Sequence, residues 1–294
     1  MSKVPMKKLL TTIWQAFYPL LIETAVNLII TFAAVMFFAG LYYRETGLLA
    51  VKGAAGFLDS NLLFLTGIVS LFIIPVYMLL VKKDAVKYGE EEIPVARKPL
   101  TVLFCIAASV GTALAGTLFM KLLGVFRPEI GFEEYASIFD NTAPLVMAVV
   151  TLILTPLCDE LLFRGLFFRR ISRVYGFWPA GLISSLFYGI TFGDLSQGIY
   201  GFAMGLVYAY AFQKTGKVWI PVVMHMASST FIMLVDALTE GLSAFSLPFH
   251  VALSALGAGL GTAILVASLF YLRKYQIPAA ASEEVPEAEG SGSE

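Results

Sequence analysis

The sequence predicts an all-α fold of about eight transmembrane helices, from three observations. Of 294 residues, 58% are hydrophobic and only 14% charged, against about 25% charged in an ordinary soluble domain. The mean hydropathy is +0.81. The apolar residues fall into runs long enough to cross a hydrocarbon core of ~30 Å as helix. This composition excludes a soluble enzyme, a disordered scaffold and a secreted disulfide module. A net charge of −1 gives no basis for a nucleic-acid partner. Cys105 and Cys158 both lie in apolar runs and suggest no disulfide framework.

Eight segments are candidates: Ile13–Leu41, Asn61–Val81, Leu100–Leu123, Ala143–Phe168, Phe177–Phe192, Leu195–Phe212, Val218–Leu238 and Pro248–Leu272. The first follows a basic start, MSKVPMKKLL, as a signal peptide would. Its length, its Glu23 and Asn27, and the seven segments after it favour a retained signal anchor. The fifth and sixth are short and separated by Gly193-Asp194, so they read as a tight helical hairpin. In the sixth and eighth, Gly201-x-x-x-Gly205 and Gly257-x-x-x-Gly261 permit close helix packing. Residues 1–276 read as one transmembrane domain with a motif-bearing core at 143–238, and residues 277–294 as an acidic, disordered cytoplasmic tail.

Orientation follows from the twenty Lys and Arg residues. Lys3, Lys7, Lys8, Lys82, Lys83, Lys87, Arg97, Lys98, Arg169, Arg170, Arg173, Lys214, Lys217, Arg273 and Lys274 fall on one side, fifteen in all. Arg44, Lys52, Lys121 and Arg127 fall on the other, and Arg164 belongs to neither. The positive-inside rule then puts both termini in the cytoplasm of an inner-membrane protein, with an even number of spans.

Ionisable groups at depth carry the functional information, because each costs roughly 2.5–3.5 kcal/mol at a helix centre on insertion scales. Two stretches hold them. In Thr155-Pro156-Leu157-Cys158-Asp159-Glu160-Leu161-Leu162-Phe163-Arg164-Gly165, Glu160 and Arg164 are four apart with the acid first, the favourable order for an ion pair. Asp159 sits about 100° round the helix and faces something else. Pro156 removes a backbone hydrogen bond just upstream and is a candidate kink. In Pro221-Val-Val-Met-His225-Met-Ala-Ser228-Ser229, His225 lies roughly 12 Å along the helix from Lys217, with Ser229 one turn on. The alternatives to a functional site are a charged helix end meeting the headgroups, and a histidine that simply hydrogen-bonds a neighbouring helix.

Taken together, these residues resemble the CAAX protease and bacteriocin-processing family of intramembrane endopeptidases, which includes bacterial Abi self-immunity proteins. The family pattern is Glu-Glu-x-x-x-Arg, then Phe-x-x-x-His, then His-x-x-x-Asn. This chain reads Asp159-Glu160-Leu-Leu-Phe-Arg164, Phe187-Tyr-Gly-Ile-Thr191 and His225-Met-Ala-Ser-Ser229. The resemblance implies a base at Asp159, a water partner at Thr191, oxyanion donors at His225 and Ser229, and structural support from Glu160, Arg164 and Phe187. It implies a membrane-anchored protein or peptide as substrate or partner, and the lipid bilayer as surroundings. Three of the four chemical positions are substituted. Asp159 is one methylene short, Thr191 cannot take a proton, and Ser229 reaches less far than Asn. Cleavage is therefore expected to be weak or absent. The alternative is a non-catalytic scaffold, regulator or self-immunity factor. A transporter is disfavoured, since no inverted-repeat symmetry is visible. No cofactor is expected, and a metal is disfavoured because Arg164 competes for Glu160 and the sequence lacks His-Glu-x-x-His.

Overall fold

The computed structural model describes residues 6–46, 51–89, 98–126, 143–193, 195–241 and 246–274. Every regular element among them is a helix. In chain order these are α1 (Met6–Thr46), α2 (Val51–Tyr88), α3 (Lys98–Phe126), α4 (Pro144–Tyr175), α5 (Phe177–Ile190), α6 (Leu195–Thr215), α7 (Trp219–Gly241) and α8 (Leu247–Lys274). The expected tail at 277–294 lies outside the described residues, as do Lys3, Arg97, Arg127 and Asp194 of the hairpin turn.

Five stretches are long and apolar enough to cross a bilayer: Met6–Arg44, Ser60–Tyr88, Pro99–Leu122, Pro144–Tyr175 and Pro248–Lys274. The helices α5, α6 and α7 fall short of that standard. Helix α5 has 14 residues, about 21 Å of rise. The other two carry polar groups that the bundle buries, among them Gln197 and Thr215 in α6, and His225 and Ser228 in α7. The three helices that fall short as bare apolar spans are the ones around the polar site. The protein is an integral membrane protein, and its surface shows it. Leu28, Ile29, Phe32 and Phe37 of α1 are all more than 60% exposed, the face a bilayer would cover.

Helix α4 is irregular. Two π-helical stretches, Val150–Leu154 and Leu161–Phe168, flank an α-helical Thr155–Glu160. Pro156 sits near the start of that middle segment, at the junction where π-helix gives way to α-helix. The backbone stays in the right-handed helical region at both π junctions, so the proline is absorbed by the change of helical type. Such π segments occur often at functional sites.

Small residues set the helix contacts. An added Cβ at Gly205 would lie 2.9 Å from Ser185 Cβ, so α5 and α6 touch nearly backbone to backbone there. At Gly261 it would meet Ala115 N at 2.5 Å and Gly111 O at 2.7 Å, which locks α8 onto α3. Both Gly-x-x-x-Gly pairs are thus packing seams. Tight turns use glycines in the left-handed region: Gly176 (φ 77°) between α4 and α5, and Gly216 (φ 66°) between α6 and α7. Gly193 (φ 73°) ends α5 in the same way.

The basic helix ends gather at one end of the bundle. Arg170 Nε donates to Asp84 Oδ2 at 2.6 Å, and Arg170 Nη1 donates to the Gln15 carbonyl. These bonds tie the end of α4 to the end of α2 and the start of α1. Arg169 Nη2 reaches the Gly216 carbonyl at 3.3 Å, which brings the α6–α7 turn to the same end.

Candidate active site

Helix α4 delivers both charges of the central ion pair. Glu160 and Arg164 have no solvent exposure, and Arg164 is the largest fully buried side chain among the described residues. Arg164 Nη1 donates to Glu160 Oε1 at 3.1 Å. The pair is local to one helix, but its remaining bonds are not. Arg164 Nη2 donates to the Gly205 carbonyl of α6 at 2.9 Å. Its guanidinium carbon lies 4.9 Å from the Tyr188 ring centroid and 5.2 Å from that of Tyr208. A desolvated cation between two aromatic faces gains cation–π attraction that water would otherwise screen.

His225 enters from α7 and completes the cluster. Its Nδ1 is 3.2 Å from Glu160 Oε1, and its Nε2 is 3.3 Å from the Tyr188 hydroxyl. An ionised Glu160 can only accept, so the tautomer with Nδ1–H follows, and Tyr188 then donates to Nε2. The Tyr208 ring stacks on the imidazole at 5.4 Å and 28°. Tyr208 also shares a 2.6 Å hydrogen bond with Ser228 Oγ, which donates back to the His225 carbonyl. Four helices therefore meet in one polar network: α4, α5, α6 and α7.

The other sequence-derived positions lie around that network. Asp159 is half-buried and makes no hydrogen bond among the described residues. Thr191 follows the last residue of α5 and is exposed. Its hydroxyl donates to the Tyr188 carbonyl at 2.7 Å, within its own turn, and no hydrogen bond joins it to Asp159 or His225. The α5 side chain that reaches His225 is Tyr188, one turn earlier. Ser229 is half-buried without a hydrogen bond among the described residues, and the bonded serine is its neighbour Ser228. Phe187 packs edge-on to Phe17 at 4.8 Å and against Phe167 at 5.5 Å, holding α5 to α1 and α4.

A second polar group approaches Asp159 from α1. Tyr77 of α2 donates to Glu23 Oε2 at 2.7 Å, and Cys158 Sγ lies 4.0 Å from Glu23 Oε1. Glu23 thus sits beside the turn that carries Asp159. Sequence reasoning missed Tyr188, Tyr208, Ser228 and the Gly205 carbonyl. It registered Glu23 only as an argument against a signal peptide. The rule that flags ionisable residues at depth would have placed Glu23 with the site.

Among the described residues no three His, Cys, Asp or Glu side chains converge as ligands. One oxygen of Glu160 already serves both Arg164 and His225.

Comparison with known proteins points the same way as the residues. A family model described as type II CAAX prenyl endopeptidase Rce1-like matches residues 141–231, the stretch that carries α4 to α7. The putative membrane peptidase YdiL of Bacillus subtilis (strain 168) is 27% identical over 191 residues, which cover 60% of this chain and 75% of the relative. The membrane-embedded CAAX protease MroQ of Staphylococcus aureus (strain USA300) is 26% identical over 111 residues, covering 36% of this chain and 44% of the relative. No solved structure matches the chain.

Proposed function

From its membership of the CAAX protease and bacteriocin-processing family, we propose that this chain is an intramembrane endopeptidase of that type with a reduced catalytic set. Its substrates are membrane-anchored proteins or peptides. The observation that carries the reading is the division of labour in the Asp-Glu pair of α4. Oε1 of Glu160 is shared by Arg164 and His225, while Asp159 is half-buried without a hydrogen bond among the described residues. A half-buried carboxylate without a hydrogen-bond partner can take a proton from a water that attacks a peptide carbonyl. The Glu160–Arg164 pair holds the imidazole in place.

The substitutions set the expected rate. The hydroxyl of Thr191 orients a water but cannot accept its proton, and loss of a positioned acid–base group typically costs about 10²–10⁴-fold. Neutral His225 has both ring nitrogens engaged. It can offer Nε2–H to an oxyanion only as the imidazolium, and only if Tyr188 swings away. The Tyr188 hydroxyl is itself a donor at that position. Loss of one oxyanion donor costs about 10²–10³-fold where measured. The protein resides in the plasma membrane with both termini in the cytoplasm, in line with the fifteen-to-four basic asymmetry.

The same geometry favours a second reading, a non-catalytic member that binds membrane proteins as scaffold, regulator or self-immunity factor. Its specific support is that Thr191 bonds within its own helix and His225 is fully engaged. The test is cleavage of a fluorogenic membrane-anchored peptide library by the purified protein. Weak cleavage abolished by Asp159→Ala supports the peptidase. Robust cleavage that survives Asp159→Ala refutes the assigned base.

A further inference from the structure

The basic end of the bundle holds a cavity separate from the carboxylate–histidine site. It has a volume of about 810 Å³ and lies between the start of α1 and the ends of α2 and α4. Its walls carry Lys7, Lys8, Arg170 and Arg173, together with Gln15 and Tyr88, and among the described residues no carboxylate lines it. Among the described residues, Asp84 is already engaged, 2.6 Å from Arg170 and 3.7 Å from Arg173. Arg170 is 5% exposed and fixed by Asp84, the Gln15 carbonyl and the Tyr18 hydroxyl. Arg173 lies over the Tyr88 ring, 4.0 Å from its centroid. Lys7 and Lys8 are exposed at the cavity's edge and form no ion pair among the described residues. Two arginines are thus held rigidly at the wall, and two lysines are free to close over whatever enters.

Among the described residues, four cations face one carboxylate where three helices converge. The cavity also lies where the apolar run of α1 begins and that of α2 ends, which is the level of lipid phosphates. Basic pockets between transmembrane helices at that level suit anionic head groups. We propose that this cavity is a binding site for the phosphodiester head group of an anionic phospholipid. The arginines contact the phosphate in a fixed geometry, and the lysines neutralise it from the open side. The bound lipid bridges α1, α2 and α4 and stabilises their junction.

The experiment is thermal unfolding of the full chain in neutral detergent, titrated separately with short-chain phosphatidylglycerol, short-chain phosphatidylcholine and glycerol phosphate. Phosphatidylglycerol should raise the melting temperature saturably, while the other two leave it nearly unchanged. Lys7→Gln with Lys8→Gln should weaken the phosphatidylglycerol affinity by about 25-fold, about fivefold per lysine. Because neither lysine has an ion-pair partner among the described residues, this variant should melt like wild type without lipid. Lys214→Gln with Lys217→Gln, at the same end but outside the cavity, should change the affinity by less than about threefold. Equal losses from the two double variants would mean diffuse surface attraction and overturn the site. Equal shifts from phosphatidylcholine would overturn the charge argument. Equal shifts from glycerol phosphate would show that the cavity takes a free phosphate ester and overturn the lipid assignment.

Discussion

The ion pair of α4 gives the sharpest test of how this fold is held together. Arg164→Ala leaves Glu160 buried with only His225 to compensate it, and empties the space between the Tyr188 and Tyr208 rings. Breaking a buried pair by deleting one partner costs about 3–5 kcal/mol. Arg164 also gives up its bond to the Gly205 carbonyl, which places the loss in the upper part of that range. For chains of this size each kcal/mol moves the midpoint by about 2–4 °C, so the variant should melt roughly 8–20 °C below wild type. Asp159→Asn disturbs a half-buried group with no hydrogen bond, and should stay within about 1 kcal/mol, or 2–4 °C. Tryptophan fluorescence melts in detergent separate the two, with Trp14, Trp178 and Trp219 as reporters. Glu160→Gln combined with Arg164→Met should recover part of the loss, because no unpaired charge then remains in the core. Wild-type-like melting of Arg164→Ala would refute the reasoning and show that the arginine can reach the headgroups unaided.

Tyr188→Phe removes the donor to His225 Nε2 and should cost about 1–3 kcal/mol by leaving a buried nitrogen unpaired; the melt, and the imidazole NMR signals, would show it. Gly205→Ala puts a Cβ 2.9 Å from that of Ser185 and should cost about 1–3 kcal/mol while drawing the Gly205 carbonyl away from Arg164, again read by melting. The triple change Asp159→Glu, Thr191→His and Ser229→Asn should raise cleavage of the fluorogenic library, whereas single changes do little, because groups that act as a unit are strongly non-additive. No cleavage by a folded triple variant would favour the scaffold reading. Topology reporters fused at the two chain ends should both read cytoplasmic, and a periplasmic signal from either would overturn the orientation.

The fold class was legible because a bilayer imposes a simple rule on composition, and 58% hydrophobic residues in long runs satisfy it. The Glu160–Arg164 pair was legible because both partners lie on one helix at a spacing that forces them together. What the sequence could not reveal depends on which helix faces which. Tyr188 and Tyr208 are two of thirteen tyrosines in the chain, and only the α5–α6 seam turns them toward His225. Ser228 and Ser229 are equally good candidates on a bare helix, and the approach of Tyr208 selects the first. Asp84 and Arg170 are 86 residues apart, so no local pattern connects them. The π-helical stretches of α4 have no composition of their own. The glycine seams were read correctly as packing, but not that one of their carbonyls would become a ligand of the buried arginine.

The placement of the buried charges also bears on how the chain is made. The acid and the base of α4 are one turn apart, so they can join as soon as that helix exists. That pair then enters the bilayer already matched, and Arg164 does not have to wait in the channel for a counterion from another helix. The later partners are the Gly205 carbonyl, 41 residues downstream of Arg164, and His225, 65 residues downstream of Glu160. They arrive when α6 and α7 are synthesised and dock against a helix that is already in the membrane. Moving the acid from position 160 to a neighbouring helix could preserve every contact in the finished bundle. It would still leave Arg164 alone in hydrocarbon during synthesis, and the nascent chain would become a substrate for membrane quality control.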